Sequence, residues 1–183
     1  SSNHIIILGL NSYENSKIFN SLVVLDKDTN ILAYYNKNKL VPFGEFLPLE
    51  NILSKIGFKV LTNNYQSYSA GSERILFNFR SNIKILPLIC YEIIYSGKLS
   101  KDNNYDFIVN ISEDGWFGNS IGPYQHFTHS IFRSIETGKY TLRSANNGIS
   151  GIVDPTGSVI DKLNINNEGV ISIKEIAKVN KTL

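Results

Sequence analysis

Apolar and polar positions alternate along the chain in short runs, and most of these runs read as strands. His4 to Leu10 is apolar and rich in β-branched residues, which predicts a buried strand. Ile18 to Leu25 and Ile31 to Tyr35 predict two more, around the polar cluster Asp26-Lys27-Asp28-Thr29-Asn30. Leu40 to Pro48 holds two prolines and a glycine, so it reads as a shaped loop without regular structure, and a short helix is expected around Glu50 to Ile56. The polar stretch Thr62 to Gly71 reads as a mobile loop. Ile75 to Phe79 and Ile83 to Cys90 predict a hairpin whose second strand is apolar on both faces. A short helix is expected over 91–101 and a buried strand over Tyr105 to Ile111, followed by the loop Gly115-Trp116-Phe117-Gly118.

The strongest helix signal runs from Pro123 to Gly138, with Pro in the first turn, Gly at the C-cap and an apolar stripe of Phe127, Ile131 and Ile135. Tyr140 to Ser144 reads as a strand. Gly148 to Val153 and Ser158 to Asp161 then predict a hairpin across Asp154-Pro155-Thr156-Gly157, and Val170 to Ile173 is expected to close the sheet. There is no internal repeat and no linker that splits the chain. The pattern gives a mixed α/β domain over 1–183, with two packed sheets or one large one.

Composition narrows the function classes. The 183 residues are 42% apolar and 19% charged, as expected of a globular domain with a core. A formal net charge of +2 gives no reason to expect nucleic acid as a partner. One cysteine excludes an internal disulfide framework and a multi-cysteine zinc site. No apolar stretch approaches the roughly 20 residues that span a bilayer. Methionine is absent even at position 1, so the chain is expected to be a processed or truncated product.

Cys90 is the sharpest chemical feature. It ends a buried strand where a helix is expected to begin, a place where a thiolate is stabilised, although a buried structural cysteine fits equally. Lys37, just past a strand, suits either a solvated basic loop or a charge beside a thiolate. Glu45 lies among apolar loop residues, where burial calls for a partner such as a lysine, and exposure is the alternative. Glu92 reads as dipole compensation in a first turn. His126 and His129 are three apart on the helix. They are too few for a zinc site, and one of them paired with Cys90 is a minor alternative to ordinary surface or core histidines. Trp116 and Phe117 line a pocket or pack a core.

Four stretches together resemble one family. They are Tyr35-Asn36-Lys37-Asn38-Lys39-Leu40-Val41-Pro42-Phe43-Gly44-Glu45-Phe46; Ile89-Cys90-Tyr91-Glu92-Ile93; Trp116-Phe117-Gly118-Asn119-Ser120-Ile121-Gly122-Pro123-Tyr124-Gln125-His126-Phe127; and Arg143-Ser144-Ala145-Asn146-Asn147-Gly148-Ile149. Their order and spacing from about residue 5 to 175 resemble the apolipoprotein N-acyltransferases, a branch of the carbon–nitrogen hydrolase (nitrilase) superfamily. The resemblance implies a nitrilase-like α-β-β-α sandwich, truncated at its N-terminal side, and a catalytic domain on the periplasmic face of the bacterial inner membrane. It implies acyl transfer through a cysteine thioester, from a phospholipid donor to a diacylglyceryl-modified apolipoprotein. No metal and no cofactor are implied.

By motif, the nucleophile maps to Cys90, the triad lysine to Lys37 and a further functional acid to Glu45. Tyr91, Glu92, Trp116 and Phe117 map to substrate contacts. The family's general-base Glu lies upstream of the lysine and has no counterpart here, Glu14 being a poor substitute, so the chain by itself is expected to be inactive or nearly so. The sequence also departs from the family at Glu113, usually Asn, and at Gly115, usually Ala. A soluble amidase of the same superfamily and a non-catalytic remnant or binding module are the alternatives.

Overall fold

A computed structural model describes residues 4–53, 55, 57, 67–79, 82–97 and 99–176. The chain forms two compact units, Ser1–Arg74 and Ile75–Leu183.

The first unit is an antiparallel meander of β1 (Ile5–Glu14), β2 (Lys17–Asp26) and β3 (Ile31–Asn36), in the order β1-β2-β3. Asn15 and Ser16 join β1 to β2 with φ of 48° and 63°. A two-residue loop with both angles positive matches the twist of the flanking strands. Glu14 therefore ends a strand, opposite Lys17. Asp26 closes the next turn by accepting the N–H groups of Asp28 and Asn30.

The central strand β2 carries the buried side chains Phe19, Leu22, Val23 and Val24, and Tyr35 and Leu47 are buried in the same unit. The first strand differs from expectation, since no residue of β1 is buried and Ile5, Ile6 and Leu10 are exposed. Among the described residues it pairs along one edge only, and an apolar run by itself does not say whether a strand's faces will be covered. The helix expected from Glu50 forms over Glu50–Leu53 as α1, and its remainder falls largely outside the described residues. So does 62–66 of the expected mobile loop. The described part is pinned, with Tyr68 N–H on Glu45 O, Ser69 N–H on Ile18 O and Gly71 N–H on Lys37 O, all at 2.7–2.8 Å.

In the second unit six strands run in the order β4-β5-β6-β7-β8-β9: β4 (Phe77–Asn78), β5 (Lys84–Ile89), β6 (Phe107–Glu113), β7 (Tyr140–Asn146), β8 (Ser150–Val153) and β9 (Val159–Leu163). β5, β6 and β7 are parallel, and the outer pairings are antiparallel. Ile85 to Ile89 are all buried, as an unbroken apolar run on a parallel strand should be. Leu86, Leu88, Ile93, Leu99, Tyr105 and Ile108 form one core cluster.

α2 (Gly122–Thr137) starts with Pro in its first turn and ends at Gly138 in the left-handed conformation, as its sequence required. It packs against β7 and β8, and Phe127 joins Ile149 and Val153 with Ile131 beside them. The apolar stripe fades along the helix, because Ile135 is exposed. The buried face also carries His126, Ser130, Arg133 and Ser134. The hairpin β8–β9 turns at Asp154, whose carboxylate accepts the Thr156 and Ser158 N–H groups.

Two other expectations fail. The helix expected over 91–101 is a 3-10 turn, Cys90–Ile94, that stops where Tyr95 turns extended. Residues 170–173 form no strand, and Val170 is 93% exposed, so β9 is the sheet edge. Among the described residues no helix is long and apolar enough to cross a membrane.

The buried Leu86 provides a test of this core. Leu86→Ala is expected to destabilise the protein by about 2–5 kcal/mol, read as a lowered urea midpoint with little change in slope.

Candidate active site

Two polar constellations are buried, one in each unit. In the first unit, β3 ends at Asn36 and delivers Lys37, whose N–H bonds the Asn20 carbonyl at 2.8 Å. Lys37 is 1% exposed, so the solvated-lysine reading is excluded. Its Nζ donates to Glu45 Oε2 at 2.7 Å. The same oxygen accepts the Val41 N–H at 2.9 Å, and Oε1 accepts from Asn20 Nδ2 at 2.9 Å. The Glu45 carboxylate is thus held by three donors, which offset the cost of burying it.

The proline-rich loop makes this possible. Pro42 bridges Phe46, and Phe43 takes a φ of 63°, which folds the loop tightly enough to turn Glu45 back towards β3. Gly71 lies so close that a Cβ would sit 2.1 Å from the Asn36 carbonyl oxygen, so only glycine permits the 69–71 segment to bond along Lys37. Burial pushes the Tyr68 hydroxyl above its ordinary value, a nearby Glu45 charge adding to it against the Asn11 hydrogen bond.

In the second unit, Cys90 follows β5 directly, at the carboxyl end of the parallel strands, where open α/β sheets place their ligands. Its φ is 50°, a left-handed conformation that a non-glycine residue adopts only when its surroundings impose it. The residue is half-buried. Glu92 is fully buried, and its carboxylate accepts the Ile89 N–H at 2.9 Å. It therefore braces the turn, and the structure does not place it on a surface open to substrate. Tyr91 is half-buried and stacks edge-to-face with Tyr95 at 6.1 Å. Trp116 is 58% exposed, while Phe117 packs against the His126 ring at 5.5 Å.

Beneath Cys90 lies a set of polar groups that the sequence did not single out as a cluster. Arg143 on β7 directs Nη2 to both Asp114 oxygens at 2.8 and 3.0 Å, Nε to the Ile149 carbonyl at 3.2 Å, and Nη1 to Asn110 Oδ1. Asp114 also lies 2.9 Å from His126 Nδ1 and accepts the Ser112 hydroxyl at 2.7 Å. His126 Nε2 meets the Cys90 carbonyl at 3.2 Å, so the histidine serves the cysteine backbone and is not a base on its thiol. His129 stacks on Phe132. Burial holds its imidazole below the ordinary value, and His126 and Arg133 add to that. The signal for this cluster was present as Asn110 within an apolar strand and Arg143 within another.

Burial pushes the Asp114 carboxyl up, but the His126 hydrogen bond, the Arg143 charge and the Ser112 hydroxyl outweigh it, leaving it below the usual carboxylate range. Burial also lowers the Arg143 guanidinium, against the pull of Asp114 and of Cys90. Gly148 approaches so closely that a Cβ would fall 2.3 Å from Asp114 Oδ2. At the rim, Glu113 accepts from the Gly115 N–H and from the amides of Asn146 and Asn147. The unusual acid is thus absorbed by local donors. Among the described residues no group of three or more His, Cys, Asp or Glu is placed to hold a metal.

A carbon–nitrogen hydrolase family model matches residues 2–179. An apolipoprotein N-acyltransferase of Bradyrhizobium diazoefficiens is 41% identical over 169 residues, covering 92% of this chain and 32% of the relative. One of Rickettsia prowazekii is 44% identical over 173 residues, covering 91% and 34%. The chain therefore spans about a third of the length of the curated relatives it matches. Among solved structures, a carbon–nitrogen hydrolase superfamily protein of Xanthomonas campestris superposes with a TM-score of 0.64 at 17% identity, covering 90% of this chain and 60% of that one. This likeness gives the nitrilase-like α/β fold expected from the sequence.

Two predictions follow the charges. Asp114→Asn is expected to lower stability at neutral pH. A carboxyl depressed in the folded state stabilises fully above its unfolded value, near 3.8, and loses that contribution as pH falls through the lower folded one. The gap between the urea midpoints of wild type and D114N should therefore close on acidification below about pH 4. Glu45→Ala leaves the Lys37 ammonium buried without its partner and is expected to cost about 3–5 kcal/mol, more than Glu45→Gln, in the same measurement.

Proposed function

The chain belongs to the carbon–nitrogen hydrolase family, and we propose that within it the protein is an acyltransferase, moving a phospholipid acyl chain through a Cys90 thioester to the N-terminal amine of a diacylglyceryl-modified apolipoprotein. The observation that carries this reading is the strained, half-buried Cys90 at the carboxyl end of the parallel strands. The names of the relatives at 41% and 44% identity support the acyltransferase branch.

A base removes the Cys90 thiol proton, and the thiolate attacks the ester carbonyl carbon of the donor. The carbonyl π electrons pass to oxygen, and the Lys37 ammonium with backbone N–H groups stabilises that oxyanion, each good donor being worth about 3–4 kcal/mol. Collapse expels the lysophospholipid oxygen, which takes the proton from the base, and leaves the acyl group on sulfur. The acceptor amine then attacks the thioester, and its excess proton returns to the base. The Cys90 thiolate departs, leaving an amide.

Glu45 holds Lys37 in place through the 2.7 Å ion pair. Tyr91, Trp116 and Phe117 contact the lipid substrates, and the exposed Trp116 ring provides apolar area for an acyl chain. Both substrates are lipid-anchored, so this chemistry belongs at the periplasmic face of a bacterial inner membrane.

The test incubates protein with phospholipid vesicles carrying one labelled acyl chain and follows the Cys90 peptide by mass spectrometry. Label on Cys90 that neutral hydroxylamine removes, and that passes to the amine of an added diacylglyceryl peptide, is expected. Cys90→Ala should abolish it, and Lys37→Met should slow it by roughly 100-fold or more. Hydrolysis of a small soluble amide, with no labelling from vesicles, would instead establish an amidase. Neither reaction, in protein whose Cys90 remains intact, would leave a non-catalytic binding module.

A further inference from the structure

The buried groups beneath Cys90 form a closed circuit. It runs from the Cys90 carbonyl to His126 Nε2 at 3.2 Å, and from His126 Nδ1 to Asp114 Oδ1 at 2.9 Å. From Asp114 it passes to Arg143 Nη2 at 2.8 Å and from Arg143 Nη1 to Asn110 Oδ1. Asn110 Nδ2 then returns to the Leu88 carbonyl at 3.1 Å and, at a longer 3.5 Å, to the Cys90 carbonyl. His126, Asp114, Arg143 and Asn110 are each at most 3% exposed. Two of these buried side chains, His126 and Asn110, thus reach one backbone oxygen, that of the residue with φ of 50°, and Asp114 and Arg143 link the two behind it.

A left-handed non-glycine residue is strained and persists only where its neighbours over-determine it. Glu92 restrains the corner before Cys90 by accepting the Ile89 N–H. The Cys90 carbonyl is the handle on its other side. A carbonyl oxygen only accepts, so the hydrogen at His126 Nε2 points at it. The far end of the ring is wedged against the Asp114–Arg143 ion pair, with Arg143 Nη2 3.2 Å from Nδ1, and Phe117 packs on its face. The ring therefore cannot swing away without breaking buried charge contacts.

We propose that His126 is a positioning residue: its Nε2–H locks the Cys90 carbonyl, and the Asp114–Arg143–Asn110 circuit locks His126, so that the strained corner presents Sγ in one orientation. This deepens the reading of Cys90 as the nucleophile and rests on it for its catalytic part. The structural part, control of the cysteine backbone, stands apart from any substrate.

The test separates the two parts. His126→Gln keeps an N–H donor near the Nε2 position, His126→Asn keeps one only near Nδ1, and His126→Phe keeps neither. The first readout is the alkylation rate of Cys90 by iodoacetamide in the folded protein, divided by the rate in urea. The second is kcat and KM for acylation from labelled phospholipid vesicles. His126→Asn and His126→Phe are expected to change the alkylation ratio and to lower kcat by roughly 10- to 100-fold at similar KM, while His126→Gln recovers most of both. A purely structural role for the ring would group the variants by melting temperature instead.

If the variants fail to fold, the wild-type protein still decides. Cys90 is the one cysteine of the sequence. Labelling with carbonyl-13C cysteine and 15N histidine is expected to show a coupling across the hydrogen bond between His126 Nε2 and the Cys90 carbonyl carbon. Equal alkylation ratios and kcat in all three variants, or no such coupling in wild type, would overturn the proposal. Loss of vesicle acylation by wild type, with the alkylation order intact, would sink the acyltransferase reading and leave the positioning role standing.

Discussion

A guanidinium with almost no exposure has to be neutralised where it lies, and the pairing of Arg143 with Asp114 is the constraint on which the second unit turns. Arg143 sits on β7 and Asp114 follows β6, so the ion pair ties together the carboxyl ends of two parallel strands. Removing either partner would strand a charge in a space built for two. Everything nearby answers to that pair. Gly148 has no side chain because Asp114 occupies its space, and Asn110 spends its oxygen on Arg143 and its amide on the strand that carries Cys90.

The first unit solves a similar problem with different means. Lys37 and Glu45 are eight residues apart, and the loop around Pro42 folds the chain so that the two charges meet. The Val41 N–H and the Asn20 amide satisfy what remains of the carboxylate. An ammonium held this rigidly is preorganised, which is what electrostatic stabilisation of a developing oxyanion requires. Each unit thus holds one buried ion pair whose members are also partnered by neighbouring polar groups, Lys37–Glu45 in one and Arg143–Asp114 in the other.

Local signals in the sequence carried far in some places and stopped short in others. α2 was legible from Pro123 to Gly138 because its start and stop signals are residues at its own two ends, and the β8–β9 turn was legible in Asp154-Pro155-Thr156-Gly157 because a turn's signal likewise lies in its own residues. The partnership of Glu45 with a lysine followed from the cost of burying a carboxylate. By contrast, the apolar run at β1 gave a strand but not its exposure, since exposure depends on which edges find partners. The Asn15-Ser16 turn was missed because its signal is a pair of positive φ values, with no glycine to announce them. The segment after Cys90 had helix-compatible residues, yet it turned extended at Tyr95 after five residues.

The residue order by itself determined the α/β class, the buried parallel strand before Cys90, the shaped loop around Glu45 and the family through four motifs in register. Those depend on period, turn chemistry and spacing, all of which are short-range. Only the tertiary structure decided that Asn110, Asp114, His126 and Arg143 form one circuit, and that it ends on a backbone carbonyl and not on the thiol. Its contacts join residues up to 36 positions apart, on a strand, a turn, a helix and another strand. No local pattern encodes such a meeting. It arises because burying each of these polar groups is unfavourable until the others are in place.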